Sequence, residues 1–145
     1  MRRRLTSLVV CASFLPATGC IGGWGVNEDQ ELGGPYHLSA IDVREQMSLV
    51  VCNKNGCSGH EKTNPTVIAA GINHNFVTFA RRPADAFGEP LSPYRTEYYY
   101  ITRSPDEQLG LSDKAIVGPI SEPEFERRKV ALGLPAFSVV FDDLR

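Results

Sequence analysis

The sequence has no long apolar run, no surplus of positive charge and few cysteines. Each shortage closes off a class of protein. A helix that crosses a bilayer needs about 20 apolar residues. The longest run, Leu8 to Leu15, has about eight and cannot span. Fifteen Lys and Arg stand against 17 Asp and Glu in the 145 residues. Without a basic patch, the chain is a poor match to the phosphate backbone, so no nucleic acid is expected as partner. The same deficit argues against electrostatic docking on anionic lipid. There is no phosphate-binding glycine loop and no dinucleotide fingerprint. Gly56-Cys57-Ser58-Gly59 lacks the G-x-S-x-G spacing of a nucleophile elbow. No repeat occurs. Accordingly no catalytic residue, no cofactor and no metal set is assigned, and the expectation is a protein that is not an enzyme.

What the chain does have begins at its first residue. Arg2, Arg3 and Arg4 form a basic head, the short apolar run follows, and Pro16-Ala17-Thr18-Gly19 leads to Cys20. That is the layout of a secretory signal peptide over residues 1–19. Ala17-Thr18-Gly19-Cys20 resembles the lipobox of bacterial lipoproteins, with Ala17 in the place usually held by Leu. The resemblance implies that Cys20 is lipidated and becomes the new N-terminus, moored to the membrane of the cell envelope. The alternative is ordinary cleavage after Gly19, giving a soluble secreted or periplasmic protein.

Loss of residues 1–19 removes three arginines and no acids, leaving twelve basic and seventeen acidic residues, a net charge of −5. The 126 residues that remain suit a single domain. Cys11 leaves with the leader, so Cys52 and Cys57 remain as a pair in an oxidising compartment, where a disulfide is the default. Asn53-Lys54-Asn55-Gly56 between them is turn-prone, which points to a hairpin clamped at its neck. Two other readings use His60: zinc held by Cys52, Cys57, His60 and His74, or a Cys57–His60 nucleophile pair. Both need free thiols.

Residues 20–34, rich in glycine, read as a flexible tether, with Trp24 suited either to the membrane interface or to the domain edge. From 35 to 145 the pattern is a β-rich globular domain. Strands are expected over 36–41, 47–52, 66–72, 76–82, 96–103, 114–117 and 137–141, with Asn73-His74-Asn75 as a hairpin turn. A helix is expected over about 122–132. Ser121 and Glu124 have capping-box spacing, Pro123 lies in the first turn and Gly133 stands at the end. Phe125, Lys129 and Leu132 fall on one stripe.

Tyr98 and Tyr100 share one face of a strand, Tyr99 and Ile101 the other. The first pair could fill a core under the helix, or face outward and bind a partner. Arg81, Arg82 and Arg95 form a basic rim that is either solvated or able to grip a partner carboxylate. His37, His60 and His74 lie in turn-rich surroundings. Asp142 and Asp143 are adjacent and so point apart.

The later two-thirds of the chain resembles a family of small bacterial proteins, many with lipoprotein leaders, grouped as a domain of unknown function. The residues that carry the resemblance are Val67–Gly71 to Asn75–Val77, Tyr98–Ile101, and Val117-Gly118-Pro119-Ile120-Ser121-Glu122 running to Leu132-Gly133-Leu134-Pro135. It implies a small β-rich domain with one helix and no activity. The combined expectation is an α+β fold: an antiparallel sheet of about five to seven short strands with one packed C-terminal helix. Its function would be that of a lipid-anchored envelope module binding a protein or glycan. One alternative is an enzyme inhibitor or immunity-type lipoprotein that inserts the 53–59 loop. Another is a small metal-binding or enzymatic envelope protein.

Overall fold

The computed structural model describes residues 28–92, 95–105 and 110–145. Residues 1–19, where a signal peptide is expected, and Cys20 and Trp24 lie outside them. Among the described residues, nine strands form two antiparallel sheets. The first has the order β1-β2-β3-β4, from Glu28–Gly33, Tyr36–Ala40, Ser48–Asn53 and Gly56–Ser58. The second has the order β8-β7-β6-β5-β9, from Ile116–Ile120, Glu97–Thr102, Phe76–Arg81, Val67–Ile72 and Val139–Val140. One helix, α1, spans Glu122–Leu132. The α+β class holds. There are two sheets where one was expected: each turns a face to a shared core, and the second is covered on its other face as well.

That core is built by period-two alternation. Leu38, Leu49 and Val51 of the first sheet meet Val77, Phe79, Tyr99 and Ile101 of the second, all essentially excluded from water. Phe79 and Tyr99 stack with ring centroids 4.8 Å apart. Such a pair contributes about 1 kcal/mol beyond the area it buries. The opposite face of the second sheet is covered by α1, where Phe125 lies 5.2 Å from the Tyr98 ring and 5.5 Å from Phe137.

Three expectations need correction. Residues 28–33 belong to no tether: they form β1, pairing Glu28 with Ala40 through Glu31 with His37. Acidic side chains hid this strand, yet they suit an edge, where charge deters pairing with another chain. The turn into β2 uses Gly33 and Gly34, both at positive φ. The stretch from Lys114 is a 3-10 turn over Asp113–Ala115, and the strand starts only at Ile116. The segment 137–141 contributes two strand residues, because it pairs with β5 only at Ala69 and Ala70.

In α1, Ser121 Oγ accepts from Glu124 N–H and Gly133 closes the C-terminus at φ 68°. The reciprocal half of the capping box is not made. The Glu124 carboxylate instead takes Arg127 and Arg128, which hold it below the usual carboxylate range. Of the expected stripe only Phe125 is buried; Leu132 is exposed. Ser121→Ala is expected to lower stability by about 0.5–1 kcal/mol, read as a urea midpoint shift.

Candidate functional site

The residues singled out from the sequence separate into four places. The first is the rim. Glu97 and Arg81 face each other across β6 and β7 and point into the side of the core. The Glu97 carboxylate, 8% exposed, accepts from Arg81 Nε at 3.1 Å and from Tyr99 Oη at 2.7 Å, and pairs with Arg95 Nη2 at 2.8 Å. Arg81 also donates to the Glu61 carbonyl at 3.1 Å and stacks over the Tyr99 ring at 5.2 Å. Burial and the bond to Glu97 push the Tyr99 hydroxyl up to about 12. Arg81 is thus committed to the fold, and Arg95 is an exposed partner of a buried acid. Neither is a free grip for a ligand.

Tyr100 is buried and Tyr98 half-buried beneath α1. Arg128 lies over the Tyr100 ring at 5.9 Å and donates to its hydroxyl at 3.3 Å. Burial, then Glu122, raises the Tyr98 pKa. This face of the sheet therefore packs against the helix and is not an open contact surface.

Arg82 points elsewhere. It lines a groove of about 530 Å³ with Val43, Glu45, Thr66, Phe87 and Leu144. A recess of about 310 Å³ beside Tyr98 and Glu122 shares Arg82 and Arg145 with it. Among the described residues, the Arg82 side chain has no hydrogen-bond or ion-pair partner. Its backbone is fixed by exchange with Thr66, N to O at 2.8 and 2.9 Å. The Thr66 hydroxyl in turn donates to the Glu45 carbonyl. Glu45, Glu89, Asp143 and Arg145 line the same groove, so the Arg82 guanidinium faces acidic as well as apolar walls.

The fourth place is the hairpin. Cys52 pairs with Cys57 across β3 and β4, and the two are joined as a disulfide with Cα atoms 3.9 Å apart. Asn53 Oδ1 accepts from Asn55 N–H at 2.8 Å and shapes the turn. Residues 53–59 are all exposed. His60 does not complete a metal set with the bonded cysteines. Its Nδ1 accepts from Lys62 N–H at 3.1 Å, and Nε2 lies 3.8 Å from Asp113. His37 pairs with Asp29 at 3.1 Å. Asp113 is drawn below the usual range by Lys62. Asp143 pairs with Arg44 at 2.9 Å and Asp142 with Arg145 at 3.4 Å.

Sequence reasoning missed Glu97, Gln46 and Phe87. Only Glu97 left a signal: an acid two places before a core tyrosine on a strand shares its buried face. Comparison of the chain with protein-family models, with curated proteins and with solved structures finds no match.

Proposed function

We propose that the chain is exported, moored in the bacterial cell envelope by lipid on Cys20, and serves as a non-catalytic module that binds a partner protein through its 53–59 hairpin. One observation carries the choice of surface. The hairpin is exposed along its whole length and clamped at its neck by Cys52–Cys57. A rigid protrusion loses little conformational freedom when it enters a partner. The oxidised pair also suits a compartment outside the cytosol. The tyrosine face and Arg81, already engaged in packing, are set aside as contacts. If the partner is an enzyme, the protein is an inhibitor or immunity-type lipoprotein.

The double variant Cys52→Ser/Cys57→Ser is expected to cost at most about 2 kcal/mol of stability, since the closed loop is short. Its partner capture is expected to fall much further. The measurement places a photocrosslinker at Asn55 in intact cells, with one at Lys129 as control. Capture at Lys129 but not at Asn55 would sink the hairpin assignment. Intact mass of the membrane-extracted protein tests the anchor through the increment of its acyl chains.

A further inference from the structure

Four of the seven large apolar side chains exposed among the described residues stand together at one end of the domain; the others, Val130 and Leu132 on α1 and Val140 on β9, lie apart from them. Ile41, 71% exposed, and Val43 stand on the loop between β2 and β3; Phe87, 77% exposed, and Leu91 stand on the loop between β6 and β7. These two loops are clipped together. Gln46 Oε1 accepts from Asp42 N–H at 3.2 Å, and its Nε2 donates to the Ala86 carbonyl at 3.1 Å. Gly88 seats so closely on the first loop that a Cβ there would fall 2.7 Å from Glu45 Cβ. The Asp85 carboxylate accepts from the N–H groups of Phe87 and Glu89 at 2.8 and 3.0 Å, fixing the loop tip. Large apolar groups held in water by a polar scaffold mark an interaction surface.

The chain enters the domain at this same end. β1 starts at Glu28 opposite Ala40, and Arg44, on the Ile41–Val43 side, lies 2.9 Å from both Glu28 and Asp143. Seven residues, 21–27, separate Glu28 from Cys20. A connection of that length cannot exceed about 28 Å. Meanwhile β3 runs from Ser48 at this end to Asn53 in the disulfide hairpin at the other.

We infer that this end of the domain docks on the lipid bilayer, with Ile41, Phe87 and Leu91 entering the boundary between headgroups and acyl chains. The inference rests on the lipid anchor proposed above. Apolar burial drives the contact. Asp42, Glu45 and Glu89 around the patch disfavour anionic headgroups, so zwitterionic phospholipid is the surface it fits. Docking in this orientation points the Cys52–Cys57 hairpin away from the membrane, toward a partner.

The test uses full-length lipidated protein in phosphatidylcholine–phosphatidylethanolamine vesicles containing brominated lipid. Trp24, the sole tryptophan, is first changed to Phe, and a reporter is placed as Phe87→Trp or Asn55→Trp. The expected result is strong quenching and a blue shift at position 87 and neither at 55. Adding Ile41→Ser and Leu91→Ser should remove the quenching at 87. Lengthening the 21–27 segment with a Gly-Ser insert should not. No quenching at 87, equal quenching at both positions, or quenching lost with the longer segment overturns the docking while intact mass still shows the anchor standing. A mass without acyl chains overturns the anchor and the docking with it.

Discussion

Replacing Glu97 with Gln is expected to destabilise the domain by about 3 kcal/mol, the low end for removing one partner of a buried ion pair. The carboxylate is 8% exposed and is shared by Arg81, Arg95 and Tyr99. Glutamine keeps the shape and removes the charge, leaving the Arg81 guanidinium, 16% exposed, without its counter-ion. The loss stays at the low end because Arg81 retains the Glu61 and Asn64 carbonyls. With a urea dependence of about 2 kcal/mol per molar, the midpoint should fall by about 1.5 M with an unchanged slope. A shift under about 0.3 M would mean that the network is a surface pair of no consequence.

The same network makes a pH prediction. Tyr99 is held protonated to about pH 12, while an unfolded tyrosine ionises near 10. Between those values the folded state keeps a proton that the unfolded state releases. The contribution is therefore complete below pH 10 and is lost as pH rises through about 12. Two pKa units correspond to about 2–3 kcal/mol. Tyr99→Phe should flatten most of this decline in urea titrations at pH 9 and 11.5. A smaller slope persists from Tyr98, whose pKa is also raised. A Tyr99→Phe profile as steep as the parent's would place the alkaline loss elsewhere.

Local grammar made much of this domain legible. The Asn73–Asn75 turn, the alternation in Tyr98–Ile101, and Ser121, Pro123 and Gly133 around α1 are each fixed by neighbours within a few residues, and each stands where the chain implied. The disulfide hairpin was readable for the same reason. What could not be read depends on partners far apart in sequence. β1 is polar because it is an edge, and its partner, not its composition, makes it a strand. Tyr100 is closed by Arg128, 28 residues away, and the groove of Arg82 is walled by four separate segments. Arg81, Arg82 and Arg95 look alike in the sequence. Only the pairing of Arg81 with Glu97 in register and the turn of Arg82 to the opposite face separate a structural cation from an available one.

Gly71→Ala should have an effect of similar size, through backbone contact alone. Gly71 has no side chain to pack; its role is to let another stretch of chain lie against it. A Cβ at this position would sit 2.0 Å from the Ala136 carbonyl oxygen and 2.9 Å from its carbon. The segment 133–141 is held to this surface by several bonds. Asn73 Nδ2 donates to the Gly133 carbonyl at 2.9 Å, the Thr78 hydroxyl to the Pro135 carbonyl at 3.1 Å, and Ser138 and Phe141 N–H to Ala70 and Ile68 carbonyls at 2.9 Å each. The methyl must therefore lift the segment, strain β5 or expose Phe137, and no rotamer change relieves a clash with backbone. The cost is at least about 3 kcal/mol, the upper part of the range for overpacking. Amide exchange at Ser138 and Phe141 should accelerate more than exchange at Leu49, because the segment detaches before the first sheet opens. Adding Ala136→Gly should not restore stability, since the colliding atom is a main-chain oxygen. Restoration by that change would show that side-chain crowding, not close approach of two backbones, sets the requirement for glycine.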